Sequence, residues 1–474
     1  MRVAVAAVLA GLLAGAVALF AAPRPPSLRD THTGDAALAA LVRDAAGDPK
    51  GYRALSVAYV EGGTVRYASL GDDTITPDTP FEIGSVTKSL TGMLLADLEQ
   101  DGVLSARDTL GTLLPGTEGP AAAVTAEELT SHRSGLPRLP PANLAALFLR
   151  QMRAQDPYAG IGTDDIARAL SETEKLDGRG TFAYSNYGAS VLGLALATRT
   201  GTPYPRLLTD RILTPLGMHD TVFTLDGAAP PPGAATGGTP TGRRTAPWTA
   251  SGIAPAGAGA WSTAADLGRL LTALLAGTAP GQAATTARFD ADAQDRIGYG
   301  WLTRDAAVVW HNGGTGGFRT FAGFDPATGR GIAVLGNTTR SVDAIGLRLL
   351  GADPPAEGRT PPEWAATVVT VFLLLAGASL FTTAVRGRAD RLQLAEAALI
   401  SAGCLTVVHP TGDWLIIPPW LWALPLALSA AGAAIAALSF RTIPTLREGT
   451  NPITRWASLA VTALIAAALA ALFL

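Results

Sequence analysis

The fold of this chain is organised around the stretch Phe81-Glu82-Ile83-Gly84-Ser85-Val86-Thr87-Lys88. The apolar residues that recur at every fourth position after it predict a helix over Val86–Gln100, with a loop before it. Ser85 then stands at the start of the helix, and Lys88 lies one turn later on the same face. The first turn of a helix carries free backbone N–H groups and a partial positive charge. We therefore interpret Ser85 as a candidate nucleophile.

Strand patterns lie far apart on both sides of this helix. Residues 55–70 predict a hairpin, since two runs of strand-forming residues flank a short glycine-containing turn. Residues 307–337 predict three strands that short turns join into an antiparallel meander. Helical patterns fill the chain between them. Residues 31–350 are therefore predicted to form an α+β domain, with an antiparallel sheet flanked by helices and an inserted helical region.

Apolar segments occupy both ends of the chain. Residues 1–22 hold an unbroken apolar run behind Arg2, which predicts either a retained N-terminal membrane anchor or a cleaved signal peptide. Residues 23–30 have the proline-rich composition of a linker. A second predicted linker, 351–363, leads into 364–474, where four apolar segments predict an all-α, four-helix transmembrane region.

Arginine-bearing loops predict how these helices cross the membrane. Two groups of arginines lie between predicted helices, and the turn at 409–413 has no Lys or Arg. Loops rich in Lys and Arg stay on the cytoplasmic side. We therefore expect a multi-pass protein of the cell membrane, with the lipid bilayer as a partner and residues 31–350 on the extracytoplasmic side. The arginines are Arg386, Arg388 and Arg391 in the first group, and Arg441, Arg447 and Arg455 in the second.

Composition excludes several classes of function. The formal net charge of −3 provides no positive field for nucleic acid, so no nucleic-acid partner is expected. The single cysteine, Cys404, excludes a disulfide within the chain and a cysteine-based metal site. The glycine run at 313–317 is not followed by the Lys-Ser or Lys-Thr of a phosphate loop. We predict neither a cofactor nor a metal.

Acyl transfer to a serine requires a base, an acid and donors for the oxyanion. Lys88 can hold Ser85 Oγ and keep its surroundings electropositive. Tyr184 is a candidate base, because a neighbouring ammonium lowers the pKa of a tyrosine. Asn186, two residues on, can bond Lys88 or a substrate amide. The Ser85 N–H is one candidate oxyanion donor, and Gly314 at a strand edge is the other.

These residues resemble the motifs of serine hydrolases of the class C β-lactamase and penicillin-binding group, which includes D-alanyl-D-alanine carboxypeptidases and related esterases. The resemblance covers roughly residues 35–350. Its motifs are Ser85-Val86-Thr87-Lys88 as S-x-x-K, Tyr184-Ser185-Asn186 as Y-x-N, and His311-Asn312-Gly313 where the family has K-T-G or H-x-G. The stretch His132-Arg133-Ser134-Gly135-Leu136-Pro137 resembles the family's H-x-S-G-L-P loop. We assign His132 no role, since histidine in such loops is more often structural.

The resemblance implies a β-lactamase/transpeptidase-like fold and an acyl-enzyme on Ser85. It implies that Lys88 and Tyr184 are catalytic and that four further residues bind substrate: Asn186, His311, Gly313 and Gly314. A histidine stands where the family's β-lactamases carry lysine. Because a neutral or partly charged histidine holds a carboxylate less firmly than lysine, efficient β-lactam hydrolysis is not expected.

We therefore expect a membrane-anchored, extracytoplasmic serine hydrolase of the peptidase, esterase or amidase type. Its partner would be a small-molecule, ester or peptide substrate. Three alternatives stay open: a penicillin-binding receptor that is acylated slowly, a β-lactamase, and a peptidase that releases a D-amino acid from a natural-product precursor.

Overall fold

The structure is a computed structural model that describes residues 1–141, 144–354 and 361–473. Contacts between residues divide the chain into two compact units, Pro26–Ala356, and Met1–Pro25 with Glu357–Leu474. We call them the hydrolase unit and the apolar unit. Residues 355–360 of the predicted linker 351–363 and the final residue of the predicted fourth membrane helix lie outside the described residues.

The strands of the described residues all belong to the hydrolase unit. They are β1 (His32–Gly34), β2 (Leu55–Glu61), β3 (Thr64–Leu70), β4 (Phe81–Glu82), β5 (Val222–Phe223), β6 (Ala260–Ser262), β7 (Phe289–Asp290), β8 (Asp295–Ile297), β9 (Leu302–Arg304), β10 (Val308–Gly314), β11 (Arg319–Asp325) and β12 (Arg330–Gly336).

The helices occur in both units. They are α1 (Arg2–Phe20), α2 (Ala36–Ala46), α3 (Val86–Gln100), α4 (Leu110–Leu113), α5 (Ala126–Thr130), α6 (Leu144–Met152), α7 (Thr163–Ser171), α8 (Asn186–Thr200), α9 (Tyr204–Leu208), α10 (Ala264–Ala276), α11 (Asp343–Leu349), α12 (Pro361–Ala376), α13 (Ser379–Val385), α14 (Arg391–Thr411), α15 (Pro419–Ser439) and α16 (Pro452–Phe473).

A nine-stranded antiparallel sheet has the order β1-β3-β2-β12-β11-β10-β9-β8-β7. The predicted hairpin is β2–β3, and the predicted meander is β10–β12. Ala58 of β2 pairs with Ala333 of β12, so strands from both ends of the domain meet in one sheet. The prediction of an α+β domain with an antiparallel sheet is confirmed. The order β4-β6-β5 forms a second, three-stranded sheet that the sequence did not predict.

The nine-stranded sheet separates two hydrophobic cores. Successive residues of β12 point to opposite faces, so Val334 packs with α2 and α11 while Leu335 packs on the other side. The core on the Leu335 side of the sheet holds leucines of α3 and α10, including Leu94 and Leu270, which are fully buried. Each buried leucine contributes roughly 1.5–3 kcal/mol relative to an exposed one. This packing holds α3 rigidly under the site that begins at its N-terminus.

Five helices of the described residues are long and apolar enough to cross a membrane. They are Arg2–Phe20, Trp364–Val385, Arg391–Thr411, Pro419–Ser439 and Pro452–Phe473. The segment Trp364–Val385 comprises most of α12 and all of α13, which meet at Gly377. These helices coincide with the apolar segments of the sequence. That they cross a membrane, and in which direction, stays a prediction.

Candidate active site

The candidate nucleophile and its lysine lie in direct contact. Ser85 immediately precedes α3, and Lys88 belongs to the first turn of that helix. Lys88 Nζ donates to Ser85 Oγ at 2.8 Å and to the backbone oxygen of Ala256 at 2.6 Å. Ala256 ends a short 3₁₀ segment, Ser251–Ala256. Two hydrogen bonds therefore hold the lysine nitrogen on the serine oxygen.

The end of β10 packs directly against this serine turn. A Cβ atom on Gly313 would lie 1.9 Å from the backbone oxygen of Ile83. A Cβ atom on Gly84, whose φ is +50°, would lie 2.6 Å from the backbone nitrogen of Gly314. Because a side chain at either position would push strand and turn apart, the two glycines permit the close approach that forms the site.

Two backbone N–H groups face the same space. Among the described residues, the Ser85 N–H has no hydrogen-bond partner. The Thr315 N–H donates to the Phe318 oxygen at 3.1 Å, so the alternation of an antiparallel ladder turns the Gly314 N–H away from β11. Ser85 and Gly314 both line the cleft, and both N–H groups are available to a ligand there.

Lys88 is a buried amine rather than a surface cation. Its side chain is only 3% exposed. Burial, and secondarily the charge of Arg138, hold the pKa of Lys88 well below its usual value. No carboxylate pairs with Lys88 among the ion pairs of the described residues. Burial therefore shifts Lys88 towards the uncharged amine, which is the form that can accept the Ser85 proton.

Tyr184 lies beside this pair, with the centre of its ring 5.0 Å from Lys88 Nζ. Burial raises the pKa of Tyr184 to about 12, although a hydrogen bond with Ser85 and the charge of Arg138 lower it in part. The expectation that a lysine ammonium lowers the pKa of this tyrosine is wrong. Desolvation outweighs every favourable charge, and Lys88 itself disfavours the ammonium form. Tyr184 therefore keeps its proton near neutral pH and can donate it.

Asn186 is the first residue of α8. The helix begins there because the Ser185 hydroxyl caps it, accepting the Gly188 N–H at 2.8 Å. Asn186 forms a side-chain hydrogen bond with Tyr158. Burial raises the pKa of Tyr158, and this hydrogen bond lowers it in part. No hydrogen bond joins Asn186 to Lys88 among the described residues, and Asn186 Oδ1 is buried without a partner. Of the two roles predicted for Asn186, the structure therefore favours the bond to a substrate amide.

His311 lies behind the wall of the site. Its side chain is 1% exposed, and its Nδ1 lies 2.5 Å from the backbone oxygen of Asn312. Burial, followed by the charge of Lys88, lowers the pKa of His311 to about 4. The neutral ring stands 6.4 Å from the ring of Tyr184. His311 therefore provides no positive charge for a substrate, and the neighbouring Asn312, Gly313 and Gly314 line the site in its place.

His132 belongs to the site although the sequence suggested no role for it. Its ring centre lies 4.4 Å from that of Tyr184, and its Nδ1 accepts the Ser185 N–H at 3.3 Å. Burial, followed by the charge of Lys88, lowers the pKa of His132 far below its usual value. The neutral ring thus supports both the tyrosine and the start of α8. In the sequence, the resemblance of residues 132–137 to the H-x-S-G-L-P loop was the signal that could have identified His132 as part of the site.

A cleft of about 930 Å³ opens above Ser85, Tyr184 and Asn186. Three arginines line it, and none of them forms an ion pair with a carboxylate among the described residues. Asp343 is the one carboxylate among the described lining residues, and Asn312 Nδ2 donates to it at 2.7 Å. The sequence did not predict these arginines. They are Arg138, Arg243 and Arg319.

The cleft contains no metal-binding cluster. In the part of the chain that the structure describes, no group of three or more His, Cys, Asp or Glu side chains could hold a metal ion. The functional groups of the cleft are a serine, an amine, a phenol, backbone N–H groups and guanidinium groups.

Comparison with protein families identifies the hydrolase unit. The family model described as Beta-lactamase matches residues 38–353. The D-alanyl-D-alanine-carboxypeptidase/endopeptidase AmpH of Escherichia coli (strain K12) is 28% identical over 186 residues, which is 37% of this chain and 46% of that protein. The Unguisins hydrolase ungD' of Aspergillus campestris (strain IBT 28561) is 26% identical over 333 residues, 62% of this chain and 60% of that protein. The chain thus spans about half the length of the curated relatives it matches.

Solved structures share the fold of this unit. A class C beta lactamase from Rhodobacter sphaeroides superposes with a TM-score of 0.54 at 23% identity, covering 65% of this chain and 95% of that one. The D-alanine carboxypeptidase AmpC from Burkholderia cenocepacia superposes with a TM-score of 0.52 at 24% identity, covering 66% and 96%. At such identities the likeness concerns the fold alone, and it confirms the predicted β-lactamase/transpeptidase-like class.

Proposed function

The chain belongs to the Beta-lactamase family, and we propose that it is a membrane-anchored serine hydrolase that forms an acyl-enzyme on Ser85. One observation carries this proposal. Lys88 Nζ lies 2.8 Å from Ser85 Oγ, in surroundings that lower the pKa of the amine well below its usual value. A lysine in that condition is a base in contact with its nucleophile.

The proposed reaction uses the groups described above. The Lys88 amine takes the Ser85 proton as Oγ attacks the substrate carbonyl carbon, and the new oxyanion accepts the Ser85 and Gly314 N–H groups. Tyr184, whose pKa is about 12, gives its proton to the leaving group and regains one from the Lys88 ammonium. Water then attacks the acyl carbon with the same groups, and its proton passes back through Lys88 as Ser85 leaves.

The charge of the cleft favours a substrate with a free carboxylate. Arg319 Nη1 donates to the backbone oxygens of Thr315 and Phe318 at 3.1 and 3.0 Å, which leaves its other donors for a ligand. Arginine binds carboxylates through paired N–H groups. We propose a peptide that ends in D-alanine, as the name of the Escherichia coli relative suggests. A β-lactam also carries a carboxylate, so β-lactam hydrolysis is the second candidate.

Anchoring in the membrane is part of the proposal. It is supported by five helices of sufficient length and hydropathy, and by the arginines that cluster in two of the loops. The hydrolase unit would lie on the extracytoplasmic side. Reporter domains inserted after Gly387 and after Glu448 should report cytoplasm, and one inserted after Asp353 should report the outside. The reverse pattern would contradict this orientation.

The nucleophile is tested with a fluorophosphonate probe on the full-length protein. The wild type should become labelled, the adduct should map to the peptide that contains Ser85, and Ser85→Ala should remain unlabelled. Ser341→Ala is the matched control, because Ser341 lines the same cleft without contacting the nucleophile, and it should label as the wild type does. Equal labelling of Ser85→Ala and wild type would disprove the mechanism.

The substrate class is tested separately. Release of D-alanine from a peptide ending in D-Ala-D-Ala should be fast, and release from the same peptide with an amidated end should be slow. A short-chain ester and a chromogenic cephalosporin complete the comparison. Hydrolysis of the ester without hydrolysis of the peptide would overturn the proposed substrate and leave the Ser85 mechanism standing.

A further inference from the structure

A second basic cavity lies within the apolar unit, at one end of its helices. It has a volume of about 360 Å³ and lies where the α13–α14 loop, the α15–α16 loop, α14 and α16 meet. Arg386, Arg388, Arg447 and Arg455 line it together with Glu396. We call it the arginine cavity. Neither the family match, which ends at residue 353, nor the proposed hydrolase reaction assigns it a function.

Hydrogen bonds hold its two loops together as one rim. Arg391 Nε donates to the backbone oxygen of Ile443 at 3.0 Å, and the Arg391 N–H donates to that of Pro444 at 3.0 Å. Arg447 Nη1 donates to the backbone oxygen of Arg388 at 3.1 Å. Two arginine-bearing segments that are far apart in sequence are therefore fixed around one space.

The charges around this space are not balanced within the protein. Arg455 Nη1 pairs with Glu396 Oε2 at 2.9 Å, and Arg455 Nε pairs with Asp390 Oδ1 at 3.8 Å, so both of these carboxylates face Arg455. Arg386, Arg388 and Arg447 are exposed, and no carboxylate of the described residues pairs with them. Three guanidinium groups at one cavity repel each other until an anion joins them.

Apolar side chains also line the cavity. Ala397 and Ile400 of α14 lie among its lining residues, together with the polar Ser379, Thr383 and Gln393, and Ile400 is 38% exposed. Val385 at the end of α13 is 57% exposed close by in the chain. A ligand in this cavity therefore meets guanidinium groups and also hydrocarbon of α14. A phosphate with acyl chains has both properties, whereas free phosphate uses only the first.

We propose that the arginine cavity binds the phosphate of an anionic lipid headgroup, with the acyl chains lying along α14. Guanidinium groups recognise phosphate oxygens through paired, charge-assisted hydrogen bonds. Basic cavities between membrane helices are suited to such headgroups. The site would tie the apolar unit to anionic lipid in the leaflet that the arginine loops face. This role is independent of the chemistry at Ser85.

The test measures lipid binding to the full-length protein in a neutral detergent by native mass spectrometry. Short-chain phosphatidylglycerol should bind, and phosphatidylcholine of the same chain length should not. The triple variant Arg386→Gln/Arg388→Gln/Arg447→Gln should bind phosphatidylglycerol about a hundredfold more weakly, at roughly fivefold for each arginine. Arg441→Gln is the matched control, since Arg441 is exposed in the same α15–α16 loop outside the cavity, and it should bind as the wild type does.

Further measurements distinguish binding of a lipid from binding of free phosphate and test whether the variants are folded. Glycerol 3-phosphate and inorganic phosphate should compete only weakly, and competition as strong as that of the lipid would overturn the lipid assignment. The corresponding triple lysine variant should keep most of the binding because it keeps the charge. All variants should still be labelled at Ser85. Unchanged phosphatidylglycerol binding by the folded glutamine variant, or equal binding of phosphatidylcholine by the wild type, would overturn the proposal.

Discussion

The floor and the rim of the cleft both carry basic side chains, but the two regions differ in how deeply those side chains are buried. On the floor, Lys88, His132 and His311 are almost completely buried, and burial is the main cause that lowers the pKa of each. On the rim, Arg138 and Arg319 are partly exposed and keep their charge, because a guanidinium group does not lose its proton in proteins. Burial lowers the pKa of Arg319 as well, so the kind of basic group together with its depth determines whether it can lose its proton.

A buried acid behaves in the complementary way. One carboxylate oxygen of Glu82 accepts the backbone N–H of Trp248 at 2.8 Å, and the other accepts the Thr315 hydroxyl at 2.8 Å. Burial raises the pKa of Glu82 to about 8. Burial beneath the cleft thus shifts the pKa of acids upward and that of bases downward, towards their uncharged forms, while the arginines at its edge carry permanent charge.

The largest effect is expected from replacing the base of the floor. Lys88→Met should lower the rate of acylation roughly 10²- to 10⁴-fold, because Lys88 is the proposed base and the pKa of Tyr184, about 12, keeps that neighbour protonated. Lys88→Arg should not restore the rate, since arginine cannot act as an uncharged base. Probe labelling followed over time measures both rates. Lys175→Met, at an exposed lysine that pairs with Asp177, is the control. Full activity in Lys88→Arg would show that the lysine acts only through its charge.

A smaller effect is expected at the rim. Arg319→Gln should lower kcat/KM roughly tenfold to a hundredfold for a peptide with a free carboxylate, the value of a hydrogen bond to a charged group. It should leave the hydrolysis of a neutral ester nearly unchanged. Steady-state kinetics with the two substrates separates these outcomes. An equal loss for both would mean that Arg319 supports the site rather than binds substrate.

The pH profile should distinguish the floor from an exposed site. Acylation needs Lys88 uncharged, so kcat/KM should rise as pH increases through the lowered pKa of Lys88 and then remain level. The rise should end well below the usual lysine value of 10.5. A decrease is expected only as pH approaches the Tyr184 pKa of about 12, where the acid is lost. A rise centred near 10.5 would contradict the assignment of Lys88 as a desolvated base.

The smallest effect concerns stability. Because the folded-state pKa of Glu82 is about 8 and its ordinary value is 4.5, the unfolded chain loses this proton first as pH rises. The free energy of unfolding of the wild type should therefore fall between about pH 5 and pH 8. The free energy of unfolding of Glu82→Gln should fall less over the same range. Urea denaturation of the hydrolase unit at several pH values measures this difference. Asp73→Asn, at an exposed carboxyl, should follow the wild type, and parallel curves for all three proteins would refute the explanation.

Local patterns in the sequence were sufficient for the framework of the protein. Ser85 and Lys88 share a helix face because of their spacing, and the structure places them 2.8 Å apart as that spacing requires. The hairpin, the meander and the apolar helices were predicted because each repeats a local period of apolar residues. The strands β1 and β4 to β9 were not predicted, since runs of two or three residues are too short to show an alternation.

Only the tertiary structure decided the electrical state of the site. The pKa of Tyr184 rises and that of Lys88 falls because segments distant in sequence exclude water from both, and desolvation leaves no mark on sequence spacing. The contact between the rings of His132 and Tyr184 and the presence of Arg138 and Arg319 at one cleft depend on the same long-range packing. The sequence by itself therefore determined which candidate groups are present, while burial in the folded chain moved the pKa of Lys88 down and that of Tyr184 up.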